Sequence, residues 1–133
     1  MIAVDTNILV RYAVKDDKRQ TALATSFIAD NQCHVLKTVL LELAWVLSSP
    51  SGYDLRRETV VERLRHILGL PTINSEEAVQ VAQAIDWYEN GMDFADALHL
   101  ASSCDDNGFA TMDGRMIRKA SQAASTQNII FLK

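Results

Sequence analysis

Only two cysteines, Cys33 and Cys104, occur in the 133 residues, with no metal-like spacing. A disulfide framework or a cysteine zinc site is therefore excluded, and free thiols in a reducing, cytoplasmic setting are expected. Five glycines and two prolines leave little material for linkers, and the chain has no repeat or low-complexity tract. No apolar run approaches the ~20 residues needed to span a bilayer, so no membrane association is expected. The opening MIAVDTNILVRY has neither a leading basic region nor a cleavage site, and an unprocessed protein is expected. Basic excess is also missing, the net charge being −4. That argues against gripping nucleic acid by bulk electrostatics alone, although acids gathered in an active site can make the total negative while its rim stays basic. At 48% hydrophobic and 23% charged residues, the chain reads as one globular domain over 1–133 whose core needs no staples.

The pattern along the chain alternates short strand-like runs with helical ones. MIAVD is strand-like, and Thr6 can cap a helix carrying Ile8, Leu9 and Tyr12. A helix over Asp17–Asp30 and the short β-prone CHVLK follow. Thr38 can cap an apolar helix through Leu47, closed by the loop signal Ser48–Gly52. Val60, Val61, Leu64 and Leu68 mark a helix over Leu55–Leu68 with Gly69 as its cap, and PTIN reads as an edge strand. Ser75 opens a helix to about Asn90–Gly91, with Val79, Ala82, Ile85 and Trp87 on its apolar side. Another runs from Asp93 to about Asn107–Gly108, and FATM, a helix after Gly114 and NIIFL complete the chain. Such alternation predicts an α/β fold with a mainly parallel sheet, its active groups beyond the carboxyl ends of the strands. Trp45 and Trp87 fall within apolar helices and are expected in the core.

Four acids stand in apolar company: Asp5 after MIAV, Glu42 within TVLLELAWVL, Asp96 within FADALHLA and Asp113 after FATM. Helical neighbours of Glu42 at three and four positions are Thr38, Val39, Trp45 and Val46, so no local cation can answer its charge. Asp5 can also be read as a helix cap, Asp113 with Gly114 as a turn, and Asp93 as a cap of the following helix. His99 can pair with Asp96 from three residues away, in a structural or supporting role. His34 and His66 are isolated and lack zinc-ligand spacing. Were the four acids to converge to about 5 Å, each pair would repel by roughly 3 kcal/mol at an effective dielectric of about 20. Such a cluster calls for a cation or protons. Hard oxygen donors select magnesium, with manganese able to substitute, and a magnesium ion that keeps its waters suits phosphodiester chemistry. No nucleophilic triad, Cys/His pair or glycine-rich phosphate loop competes.

VDTNILV at the start, the helical Glu42 in LLELAWVL, Asp96 in DFADALHLA and Asp113 in ATMD together resemble a PIN domain over the whole chain. The resemblance is to the small stand-alone toxin nucleases of VapC type from bacterial toxin–antitoxin pairs. It implies a three-layer α/β/α domain with a central, mainly parallel sheet of four to five short strands and about seven helices. It also implies Asp5, Glu42, Asp96 and Asp113 as metal-binding and catalytic acids, with Asp93 as a fifth candidate ligand. Asn7 and Thr111 match polar positions that orient ligands or water. The implied activity is cleavage of RNA by metal-activated water, leaving a 5′ phosphate and a 3′ hydroxyl. A homodimer and silencing by a cognate antitoxin are implied as well. From the residues themselves, Arg11 and Lys15 follow Asn7 at helical spacing, and Arg115, Arg118 and Lys119 follow Asp113, as candidate phosphate contacts.

Two other readings compete. A phosphatase with Asp5 as nucleophile fits a strand-end Asp in an α/β sheet, but Asn7 stands where that pattern wants a second Asp. A non-catalytic PIN-like binding module would use the fold without its acids, which are intact here.

Overall fold

The structure, a computed structural model, describes residues 1–124 and 127–133. The described residues form five strands and seven helices in two compact units, Met1–Glu76 and Glu77–Lys133.

In the first unit β1 (Ile2–Ala3), β2 (Cys33–Val35) and β3 (Ile73–Ser75) form a parallel sheet in that order. Cys33 lies opposite both Ile2 and Ile73, and PTIN supplies the edge strand as expected. Parallel neighbours need crossovers. These are α1 (Thr6–Val14) with α2 (Lys18–Asp30), then α3 (Lys37–Ser48) with α4 (Arg57–Leu68). Leu9, Leu40, Leu43, Leu47, Val60 and Leu64 are fully buried and recur at three- and four-residue intervals, so the helical stripes fill the core against Val35 of the central strand. After α3 the chain folds back: Tyr53 N–H donates to Val46 O at 3.0 Å and Leu55 N–H to Leu47 O at 2.9 Å. Gly52 is required in this loop, because a Cβ there would sit 2.1 Å from Val46 O.

The second unit holds α5 (Ala78–Glu89), α6 (Phe94–Ser102), β4 (Phe109–Thr111), α7 (Gly114–Ala123) and β5 (Ile129–Phe131). Helices α5 and α6 pack against each other, with Tyr88 and Phe94 edge to face at 5.6 Å. Between them Gly91 takes φ +115°, a turn that a side chain would strain. Strands β4 and β5 pair in parallel, Ala110 opposite Ile130.

Several expected details shift. The first helix is capped by Asp5, with Thr6 as its first residue, and α3 starts at Lys37 without a side-chain cap from Leu36 or Thr38. The Glu76 carboxylate accepts the Lys37 N–H at 2.8 Å instead, a contact 39 residues away in sequence. Ser75 ends a strand, and α5 begins after Glu77, whose backbone is left-handed at φ 46°. Helix α6 stops at Ser102, well before Gly108. Trp87 is buried as expected, but Trp45 is 62% exposed and Val79 is exposed too, because the buried stripes of α3 and α5 run through other residues. Both cysteines are free. No helix among the described residues is long and apolar enough to cross a membrane.

Candidate metal centre

Asp5 leaves the carboxyl end of β1 and caps α1, one carboxylate oxygen accepting the Thr6 N–H at 2.7 Å. The adjacent Thr6 side chain is 5% exposed, and its Oγ1 finds no hydrogen-bond partner among the described residues. A buried hydroxyl of this kind wants a water or a ligand oxygen. Glu42 lies on the exposed face of α3 with Thr38 and Trp45. The expected apolar surroundings are therefore absent, since the residues flanking it in sequence turn to the core while Glu42 turns out. It has no cation partner among the described residues, so its charge is answered by solvent.

The acids of the second unit are closer to a site. Asp93 caps α6, its Oδ2 accepting the Asp96 N–H at 3.1 Å. Asp113 follows β4 and caps α7, accepting from the Arg115 and Met116 N–H groups at 2.9 and 3.3 Å. Its own N–H donates to Thr111 Oγ1 at 3.0 Å, so the Thr111 hydroxyl fixes the turn that aims Asp113. Asp96 is half-buried in the first turn of α6. Its carboxyl is pushed above its ordinary pKa, first by burial and then by the negative charges of Asp93 and Asp113; His99 pulls it partly back. The capping roles of Asp93 and Asp113 thus coexist with an electrostatic one. Each cap uses one carboxylate oxygen.

None of Asp5, Glu42, Asp93, Asp96 and Asp113 is paired with a Lys or Arg among the described residues. No three His, Cys, Asp or Glu side chains among those residues are arranged to hold a metal by themselves. A hard divalent ion that keeps several waters needs only one or two protein carboxylates, and carboxylate oxygens are donors of the kind it takes.

Arg115, Arg118 and Lys119 lie exposed on α7. Asn7 and Arg11 line a groove of about 500 Å3 between α1 and α2, with Ile8, Leu23 and Phe27 as its apolar wall. Arg11 is not free there: it bonds Asp16 Oδ1 at 2.9 Å, while Tyr53 donates to Asp16 Oδ2 at 2.9 Å. Asp16 is consequently held below its ordinary pKa, chiefly by the Tyr53 hydrogen bond. This triad has no sequence signal, because Tyr53 comes from the fold-back loop after α3. His66, expected to be isolated, has its Nε2 2.8 Å from the Tyr12 hydroxyl.

A model of the PIN domain family matches residues 2–122, through both units. The chain belongs to the PIN domain family. PIN domains are three-layer α/β/α folds and generally nucleases, acting on nucleic acid with divalent metal ions. The family match accounts for the parallel strands and the seven helices. No curated protein matches the chain.

Proposed function

We propose that this PIN domain is a magnesium-dependent endoribonuclease, acting as one domain over 1–133 and serving as the toxin of a type II toxin–antitoxin pair. Asp96 carries the reading: its half-buried carboxyl has no Lys or Arg partner among the described residues. Its ionisation is opposed by burial and then by Asp93 and Asp113, with His99 acting the other way, and a divalent ion would relieve that cost. Asp5, Glu42, Asp96 and Asp113 are the acids proposed to hold the ion, with Asp93 as an additional candidate. When bound, magnesium supplies an activated water and offsets charge at the scissile phosphate. The chain's own residues do the positioning. Thr111 orients Asp113, and Asp93 holds the first turn of α6. Arg115, two residues after Asp113 and with its backbone N–H held by that acid, is the proposed phosphate contact on α7.

Incubation of the purified protein with total cellular RNA and magnesium, followed by mapping of new 5′ ends, tests the activity. Discrete 5′-phosphate ends that disappear with Asp96→Asn are expected. Ends that persist in the folded variant would refute the assignment. Homodimer formation and silencing by a cognate antitoxin are tested by sedimentation, and by co-purification with the product of any small reading frame immediately upstream.

A further inference from the structure

Away from the acids, the first unit has a second polar feature, where the last turn of α1 meets the C-terminal half of α4. A pocket of about 330 Å3 lies there, lined by Tyr12, Lys15, Glu62, Arg63 and His66 over Ile67. Lys15 is the C-cap of α1 with φ 58° and ψ 36°, a left-handed conformation that favours glycine. Its ammonium lies 4.0 Å from the Tyr12 ring centre and donates to the Tyr12 carbonyl, which leaves two N–H donors for another group. The other ring against Tyr12 is His66, stacked at 5.7 Å with 12° between planes. Arg63 pairs with its neighbour Glu62 at 2.9 Å, an exposed contact that competes weakly with a phosphate. Two cations against one acid make the pocket locally positive in a chain of net charge −4.

We infer that this pocket is an anchoring subsite for the RNA strand, remote from the cleavage centre. Lys15 and Arg63 hold phosphodiester oxygens, and the Tyr12–His66 pair offers an aromatic surface to the adjoining base. Helix α1 has nine residues between its caps Asp5 and Lys15, a rise of ~14 Å and the length of about four stacked nucleotides at ~3.4 Å each. One strand can therefore reach both ends of the helix. The inference rests on the ribonuclease reading for its substrate class, not for its geometry.

Binding of a fluorescent single-stranded RNA of about twelve nucleotides to the full chain carrying Asp96→Asn, over a range of salt, separates the two. Adding Lys15→Gly and Arg63→Gln is expected to weaken binding about tenfold at low salt. The slope of log affinity against log salt should fall by roughly 1.4, at ~0.7 per single-strand phosphate. Lys15→Gly relieves the left-handed backbone, and a thermal melt verifies the fold. His66→Ala should weaken binding at least about fivefold with the slope unchanged. Unchanged affinity and slope in the folded double variant would overturn the subsite. So would adenosine monophosphate binding that the double variant loses while RNA affinity stays the same. A native chain that never cuts RNA, with binding that weakens and loses slope in the double variant as above, would defeat the ribonuclease reading and support the subsite.

Discussion

Asp16 and Asp96 are the same chemical group under opposite management. In the first unit Asp16 is exposed, bonded by Arg11 and Tyr53, and held below its ordinary pKa. In the second, Asp96 is half-buried, faces two further acids and is raised above its ordinary value. A carboxylate supplied with donors ties loops together. One deprived of them stores unfavourable charge that a cation can relieve, which is why the second is read as functional and the first as structural.

The largest test is on activity. Asp96→Asn should lower RNA cleavage by about 10²–10³-fold, the usual scale for losing one electrostatic contact to a transition state, whereas Asp16→Asn should leave cleavage intact. Equal losses in the two variants would erase the distinction. Next comes metal: magnesium at about 100 times its Kd should stabilise the native fold by ~2.7 kcal/mol. Differential scanning fluorimetry should give a rise in Tm for the native chain and for Asp16→Asn, and a much smaller one for Asp96→Asn. Third, Gly52→Ala forces a Cβ against Val46 O and should cost roughly 1–3 kcal/mol in urea unfolding, as overpacking does. It should also displace Tyr53 and so free Asp16, seen as an upward move of the Asp16 carboxyl titration by NMR.

The smallest effects concern pH. Asp96 has a raised folded pKa, so its contribution to stability is present below the ordinary carboxylate value and is lost as pH climbs through the raised one. Asp16 has a lowered pKa, so its contribution is present above the ordinary value and is lost as pH falls through the lowered one. Metal-free unfolding curves across the acid range should therefore lose their high-pH decline in Asp96→Asn and their low-pH decline in Asp16→Asn. Tyr53→Phe should reproduce part of the second effect, since Tyr53 supplies the leading cause.

Much of the fold was legible because its signals are local. Strand and helix alternation, the stop at Gly91 and the edge strand PTIN all depend on near neighbours in sequence. The errors fall where a distant group replaces a local one. Thr38 loses its capping role because Glu76 reaches the start of α3. Trp45 sits in an apolar run yet faces out, since Leu40, Leu43 and Leu47 already define the buried stripe of its helix. For the candidate site, the order of the acids is visible along the chain, and the Asp113 N–H bond to Thr111 Oγ1 joins residues only two apart. The unpaired Thr6 hydroxyl, the Asp16–Tyr53 link and the Tyr12–His66 stack were not, because they join residues that only packing brings together or seals from solvent.

By itself, the amino-acid order determined the parallel α/β class, the PIN resemblance and which carboxylates merit attention, since periodicity and motif order survive without coordinates. Only the tertiary structure decided which charges are answered and which are left opposed. Hydrogen-bond donors, burial and neighbouring charge act through space over a few ångströms, and the sequence separation of 37 between Asp16 and Tyr53 carries no trace of that proximity.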